Sequence, residues 1–258
     1  MRDPGFEEVF RSTAEILTEW IGPSKIYFLS NLGNWGDGVI RYGTIRFLTW
    51  FHLDFEEIIS REDIEKNRSN FSDSVLLYQG SGAFCKLWDH SGLIQHLGEI
   101  FRSLVILPSS YELPLSTPNT LYFCRDIYES KQMMPESIFC HDLAFFIQDI
   151  ETPSGNGTGY FFRTDIESSK TIPIPENNID ISLQGTQFSP ARPFFIKIAQ
   201  FEEIHTDRLH VAIAGSLLNR TVHLYPGSYF KNKAVYLSSM KEYYPKTVFH
   251  DHYQCRPA

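Results

Sequence analysis

Two short stretches carry the side chains best suited to chemistry on an anion. In "TDRLH" (206–210) a threonine and an aspartate stand where a strand hands over to a helix. Arg208 then falls in the first helical turn, and His210 lies two residues on. A cation and an imidazole at a helix start oppose the helix dipole. Such a local conflict is expected where function outranks stability. The alternative is a structural one, with Thr206 capping, Asp207 complementing the dipole, and Arg208 and His210 solvated. In "FFRTD" (161–165) Arg163 follows apolar strand residues. Its guanidinium suits a bidentate grip on a carboxylate or phosphate, or a salt bridge to Asp165 or Asp142.

A third stretch, "SNLGNWGDGVI" (30–40), supplies Gly33, Gly36 and Gly38. Its spacing is neither a dinucleotide-binding fingerprint nor a P-loop. It reads either as a tight strand-to-helix turn capped by Asp37 or as a loop whose backbone N–H groups hold an anion. "YFCRD" and "FCHDL" offer Arg125, Asp126, His141 and Asp142, for which structural pairing at the sheet edge is the simpler expectation. "GSYFKNK" offers Ser228, Tyr229, Lys231 and Lys233, as an anion-binding loop or a solvated turn.

The elements that must position these groups alternate along the chain. Residues 5–20 have helical apolar spacing. "KIYFLS" (25–30) reads as a buried strand and 39–51 as a helix. Strands follow at 74–82, 103–110 and 120–126, with a helix at 90–102 and a short strand and helical turn at 138–147. Alternation of this kind predicts an α/β domain with a mainly parallel sheet. Ligands then gather at the carboxyl ends of the strands. Residues 149–159, "DIETPSGNGTG", read as a linker, so a boundary is placed near 150, giving domains 1–150 and 151–258. The second half restarts with a strand at 160–165. It continues with a helix from 191, a strand at "EEIH", a helix at "DRLHVAIAGSLL" and a strand at "TVHLY".

Composition narrows the function classes. The net charge of −8 and the absence of a basic cluster argue against nucleic acid as partner. Four cysteines, Cys85, Cys124, Cys140 and Cys255, form no CxxC pair, so reduced buried thiols are expected rather than zinc. No paired histidines or carboxylate cluster mark a metal site, and metal-free chemistry is the expectation. The polar, acidic N-terminus and the lack of a long apolar run predict a cytoplasmic protein.

Taken in order, "NLGNWGDGVI", "LLYQGSGAF", "VILPSS", "YFCRDIYES", "HDLAFF", "FFRTD", "HTDRLHVAIAGSLL" and "GSYFKNK" resemble the polysaccharide pyruvyl transferase family. They span roughly residues 26 to 240. The resemblance implies a GT-B-like fold of two Rossmann-like domains facing across a cleft. It implies transfer of the pyruvyl group of phosphoenolpyruvate (PEP) to two hydroxyls of a sugar in a surface polysaccharide or its lipid-linked precursor. A ketal forms and phosphate is released, with no cofactor.

The family's PEP-binding arginines fall on Arg163 and Arg208, its proposed acid on His210 and its glycine loop on Gly33 to Gly38. The implied substrate-binding set is Arg163, Arg208, Leu209, Gly33, Asn34, Gly36 and Lys233. His210 and Asp37 are the expected acid and base, and Asn34 and Asp37 are expected to reach sugar hydroxyls on the acceptor side. Where the family ends a strand in "DNSYGK", this chain has "YPGSYFKNK", with no Asp and with Gly227 before Ser228 and Tyr229. A lipid-linked acceptor would add peripheral association with the inner face of a membrane. A sugar-nucleotide glycosyltransferase of the same architecture, and a non-catalytic glycan- or phosphate-binding protein, are the alternatives.

Overall fold

A computed structural model of the chain describes residues 3–148 and 150–252. Helix α1 (Pro4–Ile21) starts where Asp3 accepts the Gly5 N–H at 2.8 Å and Pro4 opens the first turn. It buries Phe6, Phe10, Ala14, Leu17 and Ile21 on one face and stops at Gly22, whose φ is 58°. The first unit comprises Met1–Leu32 and Gly43–Phe146. After α1 it holds β1 (Ile26–Leu29), part of α2 (Trp35–Trp50), β2 (Phe55–Ile58), α3 (Arg61–Lys66) and β3 (Val75–Tyr78). A two-stranded ribbon, β4 (Phe84–Cys85) and β5 (Trp88–Asp89), precedes α4 (Ser91–Gly98), β6 (Ser103–Ser109), β7 (Thr120–Cys124), α5 (Glu129–Met133) and β8 (Ile138–Phe139).

The main sheet of this unit is entirely parallel, in the order β2-β1-β3-β6-β7-β8. Its central strands β1, β3 and β6 are buried along their whole length. That explains their continuous apolar text, because both faces are covered. Phe6, Phe10, Phe47 and Phe146 pack edge-on or tilted on one another. Gly43 lets α2 lie against the backbone of Leu143, where a Cβ would collide with the carbonyl.

The second unit comprises Gly33–Tyr42 and Ile147–Ala258. It holds β9 (Thr158–Phe161), α6 (Ala191–Ala199), β10 (Glu203–Thr206), α7 (Leu209–Leu217), β11 (Thr221–Leu224), α8 (Lys231–Val235) and β12 (Thr247–Phe249). Its sheet is also parallel, in the order β12-β11-β10-β9. The expected mixed α/β chain with two mainly parallel sheets is therefore what forms.

Several details differ from the sequence reading. β2 and β12 were not anticipated, since both are short edge strands with mixed polarity. β9 begins at Thr158, inside the expected linker, and ends before Arg163. The glycine stretch is not one loop. Trp35 already begins α2, so Gly36, Asp37 and Gly38 are helical. Gly33–Tyr42, with the first two turns of α2, groups with the second unit rather than with residues 1–150, while Ser30 to Leu32 stay in the first. Cys85, Cys124 and Cys140 are buried without a disulfide, and burial pushes the Cys140 thiol up to about 12. Cys255 and Asp149 lie outside the described residues. Among the described residues no helix is long and apolar enough to cross a membrane.

Candidate functional site

The carboxyl ends of β9 and β10 bring Arg163 and Arg208 together. Each lies two residues past its strand, and the two strands are in-register neighbours. Their guanidinium groups are 5% and 4% exposed. Burial at that level demands anionic partners, and carboxylates supply them. Arg163 Nε is 3.0 Å from Asp165 Oδ1, and its Nη1 donates to Glu167 Oε2 at 2.6 Å. Arg208 Nη1 is 2.8 Å from Asp165 Oδ2. Its Nε and Nη2 donate to the two oxygens of Asp180 at 2.9 and 2.7 Å. Asp165 thus bridges both arginines. Asp180 also accepts from the Thr164 N–H and hydroxyl, and Lys231 of α8 reaches Glu167 at 2.8 Å.

Charge accounting sharpens the picture. Arg163, Arg208 and Lys231 face Asp165, Glu167 and Asp180, three charges against three. Asp207 is a fourth carboxyl with no cation left over. Its Oδ1 accepts the Arg163 N–H at 2.8 Å. Burial raises its pKa to about 6, against the opposing pull of that N–H and of the two arginines. Glu167 goes the other way. Burial alone would raise it, but Lys231 and Arg163 outweigh that and hold it far below the usual carboxylate range. Arg163 is likewise held above its ordinary value, Glu167 and Asp165 overcoming the cost of burial.

Thr206 makes the handover into α7. Its hydroxyl donates to the Phe161 carbonyl at 2.7 Å and accepts the Arg208 N–H at 2.9 Å. Leu209 and His210 are the first residues of α7; Leu209 is buried and His210 half-buried. A Cβ on Gly36 would lie 2.7 Å from His210 Nδ1. The glycine stretch and the TDRLH histidine are therefore in contact range.

That stretch is held by its own caps. Asn34 Oδ1 accepts the Gly36 N–H at 2.8 Å, and Asp37 Oδ2 accepts the Asn34 N–H at 3.0 Å, a reciprocal helix cap. Gly33 donates its N–H to Gln187, and Trp35 Nε1 donates to the Pro190 carbonyl at 2.9 Å. Asn34 and Asp37, expected to reach a sugar, instead spend these atoms on the start of α2.

Other expected residues lie elsewhere. Lys233 is an exposed partner of Asp251, and Lys231, two residues before it, is the lysine of the cluster. Arg125 and Asp142 form a buried pair at 2.6 Å, with Ser110 taking Arg125 Nε. Asp126 accepts from Ser130, and His141 stacks on Phe6 at 3.8 Å. Each of these four is thus engaged in a pairing or packing contact within the first unit. Arg163 pairs with Asp165 and not with Asp142.

The sequence reading missed a polar group in the first unit. The strand order reverses between β1 and β3, the point where open α/β sheets take ligands. There Tyr78 donates its hydroxyl hydrogen to Asn31 at 2.7 Å, and its oxygen lies 3.2 Å from His90 Nδ1. Burial, then the charge of Arg61, lowers the pKa of His90. Arg61 Nε and Nη2 are buried with no hydrogen-bond partner. Only the "SNL" and "LLYQ" strand ends hinted at this group.

No family model matches the chain, and no curated protein matches it. Solved structures do. One is a functionally uncharacterised protein of Klebsiella pneumoniae subsp. pneumoniae NTUH-K2044, 25% identical, with a TM-score of 0.77 over 93% of this chain and 98% of that one. What this chain is similar to is therefore a natural protein of the same α/β architecture along nearly its whole length.

Proposed function

We propose that the chain is a PEP-dependent ketal-pyruvyltransferase acting on a glycan or lipid-linked oligosaccharide, with its donor site at the carboxyl ends of β9 and β10. The observation that carries this reading is the convergence of Arg163, Arg208 and the His210 helix start beside Gly36. It brings four of the family-like segments, those carrying Gly36, Arg163, Arg208 and Lys231, to one place in the second unit. The GT-B pairing of the two units is part of the proposal, as is the Asn31–Tyr78–His90 group as acceptor side.

The chemistry assigns work to few groups. PEP brings a phosphate and a carboxylate, for which arginines and a helix N-terminus are the complement. His210 delivers a proton to the methylene carbon, which becomes the methyl. One sugar hydroxyl adds at C2 and loses its proton. The second hydroxyl displaces phosphate and loses its proton in turn. Two protons leave the sugar; one ends on the methyl carbon and one on phosphate.

The carboxylate pairing adds a condition. Both guanidinium groups already stand at ion-pair distance from Asp165, Glu167 and Asp180, so the donor must take the place of a carboxylate. Asp180, which lies in an irregular segment between β9 and α6, is the one this reading expects to yield. Asp180→Asn weakens the intramolecular competitor, so PEP affinity measured by calorimetry rises severalfold. Unchanged or weaker PEP binding in a folded Asp180→Asn variant overturns the role of Arg208.

The activity test is phosphate release from PEP in the presence of a hexoside library, with a product heavier by a pyruvyl ketal. His210→Ala loses about 10²–10⁴-fold in rate, and Arg208→Ala loses donor binding. Full activity in both folded variants refutes the site. Thermal stabilisation by nucleotide sugars but not PEP points to a glycosyltransferase, and binding without turnover points to a binding protein.

A further inference from the structure

The second sheet carries an imidazole–carboxylate cluster that pyruvyl transfer does not use. Glu203 and His205 are two apart on β10 and share one face. His205 is paired in register with His223 of β11. The two rings are stacked, centroids 4.4 Å apart and 17° between planes. Nε2 of His205 lies 3.2 Å from Oε1 of Glu203, and Nε2 of His223 lies 3.0 Å from the same oxygen. One donor atom from each of the three residues falls within 4.8 Å of the others.

We propose that Glu203, His205 and His223 form a binding site for a divalent transition-metal ion of the zinc class. Two imidazole nitrogens and one carboxylate oxygen are a donor set for zinc, cobalt or nickel, whereas calcium and magnesium take oxygen. Zinc bonds of about 2.0–2.1 Å set tetrahedral ligand–ligand edges near ~3.3 Å. The two measured edges need move only by tenths of an ångström.

The outer partners support the same assignment. Nδ1 of His205 lies 3.0 Å from the Tyr225 hydroxyl, and Nδ1 of His223 lies 2.8 Å from Nε2 of His250. If each Nδ1 carries the hydrogen, both Nε2 lone pairs face the carboxylate oxygen. This is the arrangement in which a hydrogen bond at one ring nitrogen orients the other toward a metal. Thr158 Oγ1 donates to the second oxygen of Glu203 at 3.4 Å. His205 and His223 are 16% and 15% exposed, so an ion can reach them from solvent. Three protein ligands leave one tetrahedral position for water or a solute, as in open rather than purely structural sites. No short metal-binding motif marks these residues in the sequence; strand register assembles the set.

The test uses the full untagged chain, stripped of metal with a chelator. Cobalt(II) is followed by visible absorption and zinc(II) by calorimetry. One saturable equivalent is expected. His205→Ala, His223→Ala and Glu203→Gln each weaken it by more than the ~10–100-fold that loss of an outer partner costs. Tyr225→Phe, a positioning change, weakens it within that range. His96→Ala, which removes an exposed histidine paired with Glu65, leaves it unchanged. Far-UV circular dichroism of the metal-free variants checks folding, and the near-isosteric Glu203→Gln decides if a histidine variant misfolds. Absence of saturable binding in the wild type, or binding in folded variants equal to wild type, overturns the proposal. That failure leaves the PEP reading untouched, since neither donor binding nor phosphate release depends on these residues.

Discussion

Replacing Asp207 by Asn tests the charge balance of the arginine cluster. The carboxyl is 1% exposed and titrates near 6 instead of 3.8. Its conjugate acid is therefore favoured in the folded state, and its ionisation opposes folding. The folded chain binds the extra proton between about pH 4 and 6, so stability falls as pH rises through that window. Above it the penalty is constant, and below it the penalty is absent. A shift of about two units at 1.36 kcal/mol each amounts to about 3 kcal/mol. Asn keeps the shape and can keep Oδ1 as acceptor for the Arg163 N–H, but it has no charge to bury. Urea unfolding of both proteins at pH 5, 6, 7 and 8 measures the difference, and other titrating groups cancel in it. The variant gains on wild type as pH rises, by up to about 3 kcal/mol at pH 8. Parallel pH dependences in the two proteins refute the reasoning. So does a variant less stable than wild type at pH 8.

Three more perturbations address separate parts of the structure. Glu167→Gln leaves Arg163 and Lys231 short of a partner and costs about 3–5 kcal/mol in denaturant unfolding at pH 7. Because the Glu167 carboxyl is held below its ordinary value of 4.5, the difference from wild type is full at neutral pH, begins to shrink as pH falls through about 4.5, and is lost progressively as the pH falls further. Gly36→Ala puts a methyl 2.7 Å from His210 Nδ1 and 3.0 Å from Asn34 Oδ1. If the proposed pyruvyl transfer holds, displacing the imidazole lowers PEP-dependent phosphate release by about 10²-fold, and unchanged turnover would show that His210 is not poised there. Arg125→Met removes one member of a pair in which both side chains are 1% exposed. It costs about 3–5 kcal/mol of stability, read as a lower denaturation midpoint.

Much of the fold was legible because its signals are local. Buried parallel strands are written as short apolar runs, and α1 announces itself by apolar spacing between an Asp-Pro start and a glycine stop. The weak places were edges. β2 reads "FEEI", with one buried residue in four, and such a strand is defined by the partner it pairs with, not by its text. At the site, TDRLH was readable because Arg and His at a helix start conflict with local preference. The choice of Lys231 over Lys233 was not readable, since it depends on which way a short helix turns toward Glu167.

The sequence by itself determined an α/β chain with two parallel-sheet halves, and it marked Arg163, Arg208 and His210 as the residues to watch. It could not say what those residues meet. Asp180 reaches Arg208 from an irregular segment well away in sequence, and Asp165 is shared between two arginines. Gly36 comes against His210 although the two stand near opposite ends of the chain. The register of β10 on β11 sets His205 beside His223. Each of these is a non-local pairing. Local periodicity fixes which residues share a face or a turn, but only the packed chain fixes which faces and turns meet, and so which charges are balanced.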